Sequence, residues 1–518
     1  MLRTGAISKI AQILRSLEGW RRWTVAGIFG AIAAVAQPPL FLLPALIISF
    51  VGLVWLIDGT KTYKHAFGIG WAFCTGYFAA GLYWIVYAFF VDVQSFAWMA
   101  PFALVGLTVG LGFLGGFMSV TAKIVWSFSG AKIMALAAAW TFFEWFRGII
   151  FTGFPWNPIG NIWVSFDPIL QGASWIGVYG LSGITVFFAS SFALSDRLSP
   201  SRVVYFSVGV SMIGLLWILG AFRLSDTTEQ KVEGVTLRMV QPNIRQRDKW
   251  RADKLLQNLL VHVHLSERLA EKAITHIIWP ETAMLNGFIA DKANSRLISQ
   301  IIPPRGYLLT GMPRLDLFRG KVHSARNSLT VVKENGSLSS IYDKHRLVPF
   351  GEYVPFRHIL PFEKLTAGKI DFVAGSGLKT IRLPGLPTFS PLICYEIIFP
   401  GSVVRRNERP KWMLNITNDA WFGRSAGPSQ HFASAIMRAV EEGIPVIRVA
   451  NTGISGVIDS YGRVLKKLNI GEIGIIDSSL PVSLSSRTLF SEYGNLIPLF
   501  LILIGFSGAL YFKVRTIR

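Results

Sequence analysis

Pro391-Leu392-Ile393-Cys394-Tyr395-Glu396-Ile397-Ile398-Phe399-Pro400 is the stretch whose reading decides the fold of this chain. The apolar run Phe389 to Ile393 reads as a buried strand, and the cysteine after it is lifted to the edge of a sheet. In α/β domains that edge is where sites form. Working outward, Ile277-Ile278-Trp279-Pro280-Glu281-Thr282-Ala283 has the same build, with the strand Thr275 to Trp279 delivering Glu281. Between them, Tyr342-Asp343-Lys344-His345-Arg346-Leu347-Val348-Pro349-Phe350-Gly351-Glu352-Tyr353-Val354-Pro355 sets Lys344 just beyond a strand. A glutamate, a lysine and a cysteine in these contexts suit acyl transfer.

The rest of the region 224–490 alternates in the same way. Val235 to Val240 is a predicted strand ending in Gln241-Pro242-Asn243, followed by a predicted helix from Lys254 to Lys272. Further strands are predicted at Tyr307 to Thr310, Asn327 to Val332, Leu338 to Tyr342, Thr388 to Ile393, Trp412 to Asn415, Val446 to Ala450 and Gly456 to Asp459. Helices are predicted near Asp291 to Ile301 and Phe432 to Glu442. Lys333-Glu334-Asn335-Gly336 and Ser460-Tyr461-Gly462-Arg463 read as hairpin turns, since Gly accepts positive φ. The expectation is an α/β domain of two packed layers.

Composition places this domain at a membrane. Of 518 residues 51% are apolar, with 17 Trp and 38 Phe, which is too apolar for a soluble enzyme alone. Taking about 20 apolar residues per crossing, eight transmembrane helices are predicted near 24–37, 41–57, 66–90, 99–122, 132–150, 168–195, 203–222 and 493–512. The organisation expected is a membrane domain at 1–223 with seven spans, an extracytoplasmic domain at 224–490, and a last span with its tail at 491–518. Lysine and arginine set the orientation. Arg3, Lys9, Arg15, Arg21 and Arg22 precede the first span; Lys61, Lys64, Lys123, Lys132, Arg197, Arg202, Lys513, Arg515 and Arg518 then mark alternate loops and the tail. The opposite short loops hold only Arg147, so both termini are expected inside and the large region outside. The N-terminal 22 residues are polar and basic ahead of a span that does not end in a small-residue cleavage site, so they read as an uncleaved anchor and not a signal peptide.

A net charge of +21 invites nucleic acid, but the positive residues are partitioned between membrane flanks and the outer domain, so a surface facing anionic headgroups is the better reading. Two cysteines are present: Cys74 lies inside a predicted span as a small filler, leaving Cys394 unpaired. No CxxC occurs and the eight histidines show no paired spacing, so no metal and no cofactor is expected. Glu144 and Arg147 read as an i,i+3 pair at a helix end, and Phe154-Pro155-Trp156-Asn157-Pro158 as a turn.

From the residues alone, Cys394 is the candidate nucleophile, Glu281 the general base that takes its proton, and Lys344 the charge that holds an oxyanion. The backbone amide of Tyr395 is a second candidate donor. Taken singly, Glu281 also suits a helix cap and Lys344 an ion pair with Asp343; three such contexts in one chain favour chemistry. A thioester must be shielded from water. The apolar loops Val354 to Gly377, with Phe356, Ile359, Leu360, Phe362 and Phe372, and Asn418 to His431, with Trp421, Phe422 and the hinges Gly423 and Gly427, are candidate lids.

In that chain order the three segments resemble the carbon–nitrogen hydrolase (nitrilase) superfamily, and Tyr342 to Pro355 with Cys394-Tyr395-Glu396 are similar to its apolipoprotein N-acyltransferase branch. The resemblance covers essentially the whole chain. It implies an αββα sandwich beside a helical membrane bundle, in a bacterial inner membrane with the catalytic domain periplasmic. It implies transfer of a fatty acyl chain from a phospholipid to the α-amino group of an S-diacylglyceryl-cysteine apolipoprotein, the final step of lipoprotein maturation. Glu352 and Glu396 match supporting carboxylates, expected to position Lys344, and Trp250 matches a tryptophan near the site. The alternative is a membrane-tethered amidase or nitrilase hydrolysing a C–N bond, which the same triad would serve. A scaffold with a dead site and a transporter fit less well, since the triad is intact and charges inside the spans are few.

Overall fold

The computed structural model describes residues 5–127, 129–196, 200–225, 230–318, 321–357, 359, 364 and 370–517. Contacts divide the chain into two compact units: Met1–Val86, Trp98–Thr227 and Thr488–Arg518 form one, Tyr87–Ala97 and Thr228–Arg487 the other.

The first unit is helical. Among the described residues, four helices are long and apolar enough to cross a membrane, Val93–Ile124, Ala173–Ser195, Arg202–Ser225 and Leu496–Arg515. A fifth exists if Tyr63–Gly81 and Tyr83–Phe90 count as one span; the chain bends by 49° between them, so the span predicted near 66–90 is broken at Leu82. Leu43–Asp58 is apolar but shorter, and Gly19–Ala34 and Lys132–Arg147 have 16 residues each.

Two polar clusters, one part-buried and one buried, tie these helices together. Asp58 accepts from Arg15 at 3.2 Å, Lys132 at 2.6 Å and the Trp126 indole at 2.9 Å, while Lys123 reaches the carbonyl of Ile57. Elsewhere Gln37 and Tyr77 hold the carbonyls of Pro158 and Asn157. Glu144 and Arg147 also turn to this loop: Glu144 accepts from the Ile159 amide at 2.8 Å, and Arg147 donates to the carbonyls of Phe154 and Trp156. The expected plain turn is thus a clamped loop. The helices Tyr63–Gly81 and Ala100–Ile124 approach so closely that a Cβ on Gly115 would stand 2.3 Å from Cys74 Sγ, the small-residue contact that membrane helices favour. Arg3, Arg197 and Arg518 lie outside the described residues.

The second unit contains two six-stranded sheets. Its strands are β1 Lys231–Gln241, β2 His276–Ile278, β3 Tyr307–Phe318, β4 Lys321–Lys333, β5 Leu338–Asp343, β6 Ile381–Leu383, β7 Leu386–Ile393, β8 Trp412–Thr417, β9 Val446–Ala450, β10 Ser455–Ile458, β11 Val464–Leu468 and β12 Gly474–Pro481. One sheet runs β12-β1-β2-β3-β4-β5 and the other β11-β10-β9-β8-β7-β6, with β1 against β9 and β4 against β7. Strands β1-β2-β3 and β7-β8-β9 are parallel. Both predicted hairpins form, joining β4 to β5 and β10 to β11.

Helices cover the outer faces. Leu255–Ser266 and Lys292–Ile301 pack on the first sheet around Trp279, which is fully buried with Leu259, Val263, Ile277, Ile298 and Leu308 and donates to Ser266 Oγ at 2.9 Å. Emptying such a position to alanine costs about 3–5 kcal/mol. Gly427–Glu442 packs on β9. The helix predicted to Lys272 stops at Ser266, where Ser266 Oγ turns back to the carbonyl of His262. Strands β6, β11 and β12 were not predicted. β6 has three residues, β11 exposes Lys466 and Lys467, and β12 carries Asp477, Ser478 and Ser479, so none shows an apolar run.

Candidate active site

Glu281 follows β2 in a turn that only a close backbone approach allows. The Gly311 amide donates to the carbonyl of Pro280 at 3.1 Å and the Ala283 amide to that of Gly311 at 2.8 Å; a Cβ on Gly311 would sit 2.5 Å from Glu281 Cα. Thr282 takes a positive φ of 50° to complete the turn. The Glu281 carboxylate is buried and accepts from Asn327 Nδ2 on β4 at 2.7 Å. The same amide nitrogen donates to Glu352 Oε1 at 3.0 Å, so Asn327 bridges two carboxylates.

Lys344 follows β5 and is 1% exposed. Its backbone amide is held by the carbonyl of Asn327 at 2.8 Å, and its ammonium lies 2.8 Å from Glu352 Oε2. Glu352 also accepts from the Val348 amide at 2.9 Å, which fixes the loop carrying it. Burial works against the charged form of Lys344, but the carboxylates of Glu352 and Glu281 outweigh it and hold the amine above its ordinary value.

Cys394 ends β7 with φ 53°, a left-handed conformation that costs a non-glycine residue about 1–3 kcal/mol. The surroundings hold it there. Its carbonyl meets His431 Nε2 at 3.1 Å and Asn415 Nδ2 at 3.3 Å. His431 Nδ1 in turn lies 2.9 Å from Asp419 Oδ1, and Arg448 pairs with Asp419 Oδ2 at 2.8 Å and with Asn415. Burial would raise Asp419, but Arg448 and His431 bring it down to about 2. On the far side of the turn, Glu396 Oε2 accepts from the Ile393 amide at 2.7 Å, and Oε1 from Tyr342 and the amides of His345 and Arg346.

Of the two expected supporting carboxylates, Glu352 meets the Lys344 ammonium directly, whereas Glu396 joins the cysteine turn to the backbone of the lysine loop at His345 and Arg346. Burial alone would neutralise Glu396, yet His345 holds it below the usual carboxylate range.

The charges of Glu281 and Lys344 both act on the Cys394 thiol. Burial first, then the Glu281 charge, push that thiol up to about 12, with Lys344 opposing. Burial likewise raises Glu281. A thiol acted on by a carboxylate of raised proton affinity can be activated by proton transfer to that carboxylate. Tyr395 is the first residue past Cys394 in the single turn Cys394–Ile398, its ring edge-on to Phe399.

Trp250 lines a narrow crevice with Lys249, Pro280 and Thr282, on the Glu281 side. Trp421 and Phe422 lie half-buried in the turn Asp419–Phe422, and the Phe422 ring stands 6.0 Å from that of His431. Gly423, at φ 59°, lies against the ring of Tyr87. Of the other candidate lid, Phe356 is exposed and Phe372 pairs in a bridge beside Ala325, while Leu360 and Phe362 lie outside the described residues. Sequence reasoning missed Lys249, Asn327, Asn415, Asp419, His431 and Arg448. Asn327 leaves no signal, lying between Arg326 and Ser328 in the polar half of β4, and Lys249 leaves only its place beside Trp250.

Residues 29–191 match the family model of the apolipoprotein N-acyltransferase N-terminal domain, and residues 236–488 that of carbon–nitrogen hydrolase. Apolipoprotein N-acyltransferase of Rhodopseudomonas palustris is 37% identical over 517 residues, covering 96% of each chain. That of Bradyrhizobium diazoefficiens is 40% identical over 510 residues, covering 94% of each. A solved amidase from Nesterenkonia sp. is 19% identical, with a TM-score of 0.35, and covers 50% of this chain and 94% of its own. Matched along nearly its whole length by relatives this similar, the chain belongs to the apolipoprotein N-acyltransferase family.

Proposed function

We propose that this chain N-acylates lipoproteins through a thioester on Cys394, with a membrane phospholipid as donor and the α-amino group of an S-diacylglyceryl-cysteine apolipoprotein as acceptor. The observation that carries the reading is the buried set Glu281, Lys344–Glu352 and Cys394 at the ends of β2, β5 and β7. Cys394 Sγ attacks the ester carbonyl while Glu281 takes the thiol proton. Lys344 meets the oxyanion, a contribution of roughly 3–4 kcal/mol by comparison with the loss of one oxyanion donor. The ester C–O bond breaks, Glu281 returns the proton to the glycerol oxygen, and the lysophospholipid leaves. The acceptor amine then attacks the thioester, Glu281 takes its proton, and the proton passes to Sγ as the C–S bond breaks and the amide forms.

The membrane frame belongs to this proposal: eight spans, both termini cytoplasmic, the domain at 224–490 periplasmic in the inner membrane. Its support is that basic residues from separate expected cytoplasmic loops meet at one place. Arg15 and Lys132 converge on Asp58, Lys123 joins at Ile57, and Lys513 reaches the carbonyl of Ile124. The helical unit also favours acyl transfer over hydrolysis of small soluble amides, which need no lipid phase.

Intact-mass measurement of the full-length protein incubated with phospholipid and no acceptor tests this. A hydroxylamine-labile gain of one acyl chain mapped to Cys394 is the expected result. Phospholipid bound without any adduct on a reduced Cys394 would overturn it.

A further inference from the structure

Lys249 sits on the turn Gln246–Asp248 that follows β1 and is 6% exposed, yet the mechanism above gives it nothing to do. Its ammonium donates to the main-chain carbonyl of Glu281 at 2.9 Å. Within the site the charges do not balance without it. Lys344 is bound to Glu352 at 2.8 Å, one cation to one carboxylate. Glu281 is then a second buried carboxylate whose side chain is met by a neutral amide, that of Asn327. The Lys344 charge opposes the burial that raises Glu281 but is shared with Glu352, and a buried carboxylate short of counter-charge takes up a proton and is no base.

We propose that Lys249, anchored on the Glu281 main-chain carbonyl and not paired with its carboxylate, is a positioning residue whose nearby charge adds to that of Lys344 in keeping the carboxylate ionised so that it can accept the Cys394 proton. This rests on Glu281 being the base. The groups involved are few and named: Glu281 is faced by Lys344, Glu352 and Lys249, and Lys249 by Glu281, Cys394 and the buried His262. Burial brings Lys249 down to about 8, with Glu281 and Cys394 opposing, so the amine is charged at neutral pH. The turn has independent supports in the Gly311 hydrogen bonds, so its shape does not hang on Lys249.

The test separates charge from hydrogen bonding. Single-turnover acylation of the full-length protein by phospholipid is followed against pH for wild type, Lys249→Gln, Lys249→Met and Glu281→Gln. Glutamine still offers an N–H to the carbonyl but no charge; methionine offers neither. Both Lys249 variants are expected to move the acidic limb upward by about one pH unit or more, a tenfold or larger rate loss below the limb, with the plateau changed by only a few fold. A Lys249→Gln limb at the wild-type pH, or a uniform drop across all pH in both folded variants, overturns the proposal. Melting of each variant identifies any that fail to fold; the other then decides. Should Glu281→Gln acylate with an unchanged limb, the base assignment itself falls, and that result is distinct from either Lys249 outcome.

Discussion

Cys74 and Cys394 are both buried free thiols, one in the helix Tyr63–Gly81 and the other at the end of β7. In the helical unit the thiol fills the gap opposite Gly115, on a helical backbone with no strain. In the two-sheet unit the thiol stands on a left-handed residue, its carbonyl held by His431 and Asn415 and its proton within the influence of Glu281 and Lys344. Burial is common to both and makes neither reactive. What differs is whether the neighbours are small groups that close a packing contact or charged groups arranged to move a proton.

The sharpest way to break this contrast is to remove each thiol. Cys394→Ala is expected to bring acyl-enzyme formation and lipoprotein acylation to background, while Cys74→Ala stays within about twofold of wild type; equal losses would erase the distinction. Next in size, Glu281→Gln and Lys344→Met are each expected to slow single-turnover acylation about 10²–10³-fold with phospholipid binding retained.

Glu281 also sets a sign. Burial raises it, so acylation is lost as pH falls through a value above the usual carboxylate range, and a limb at ordinary carboxylate pH would contradict the burial argument. Gly311→Ala presses a methyl group into the backbone at Glu281 and is expected to cost about 10²-fold in acylation, with melting lowered by the equivalent of about 1–3 kcal/mol. Glu352→Gln leaves the Lys344 ammonium without its partner and is expected to destabilise the folded protein by about 3–5 kcal/mol, read by thermal melting of the purified protein. The smallest effect is expected on the other side of the comparison: Gly115→Ala crowds Cys74 and should lower melting by the equivalent of about 1–3 kcal/mol, leaving the pH profile of acylation in place.

The legible parts of the fold were those with an apolar run long enough to declare itself. β7 and β8 did so because both faces are buried, and the two hairpins did so through glycine. β12 did not, because its Asp477 is satisfied by Arg238 across the sheet, a partner 239 residues away. The span predicted near 66–90 carries a 49° bend that hydropathy, being blind to direction, does not record.

By itself the sequence determined the two kinds of region, the three strand ends carrying Glu281, Lys344 and Cys394, and the family, because apolar periodicity and short contiguous motifs are local properties of the chain. Only the tertiary structure decided which groups govern those three. Asn327 between two carboxylates, Glu352 on Lys344, Lys249 under Glu281, and His431 with Asp419 and Arg448 behind Cys394 all act across folded distances. Proton affinity in a buried site is set by which charges fold to within a few ångströms, and no spacing along the chain records that.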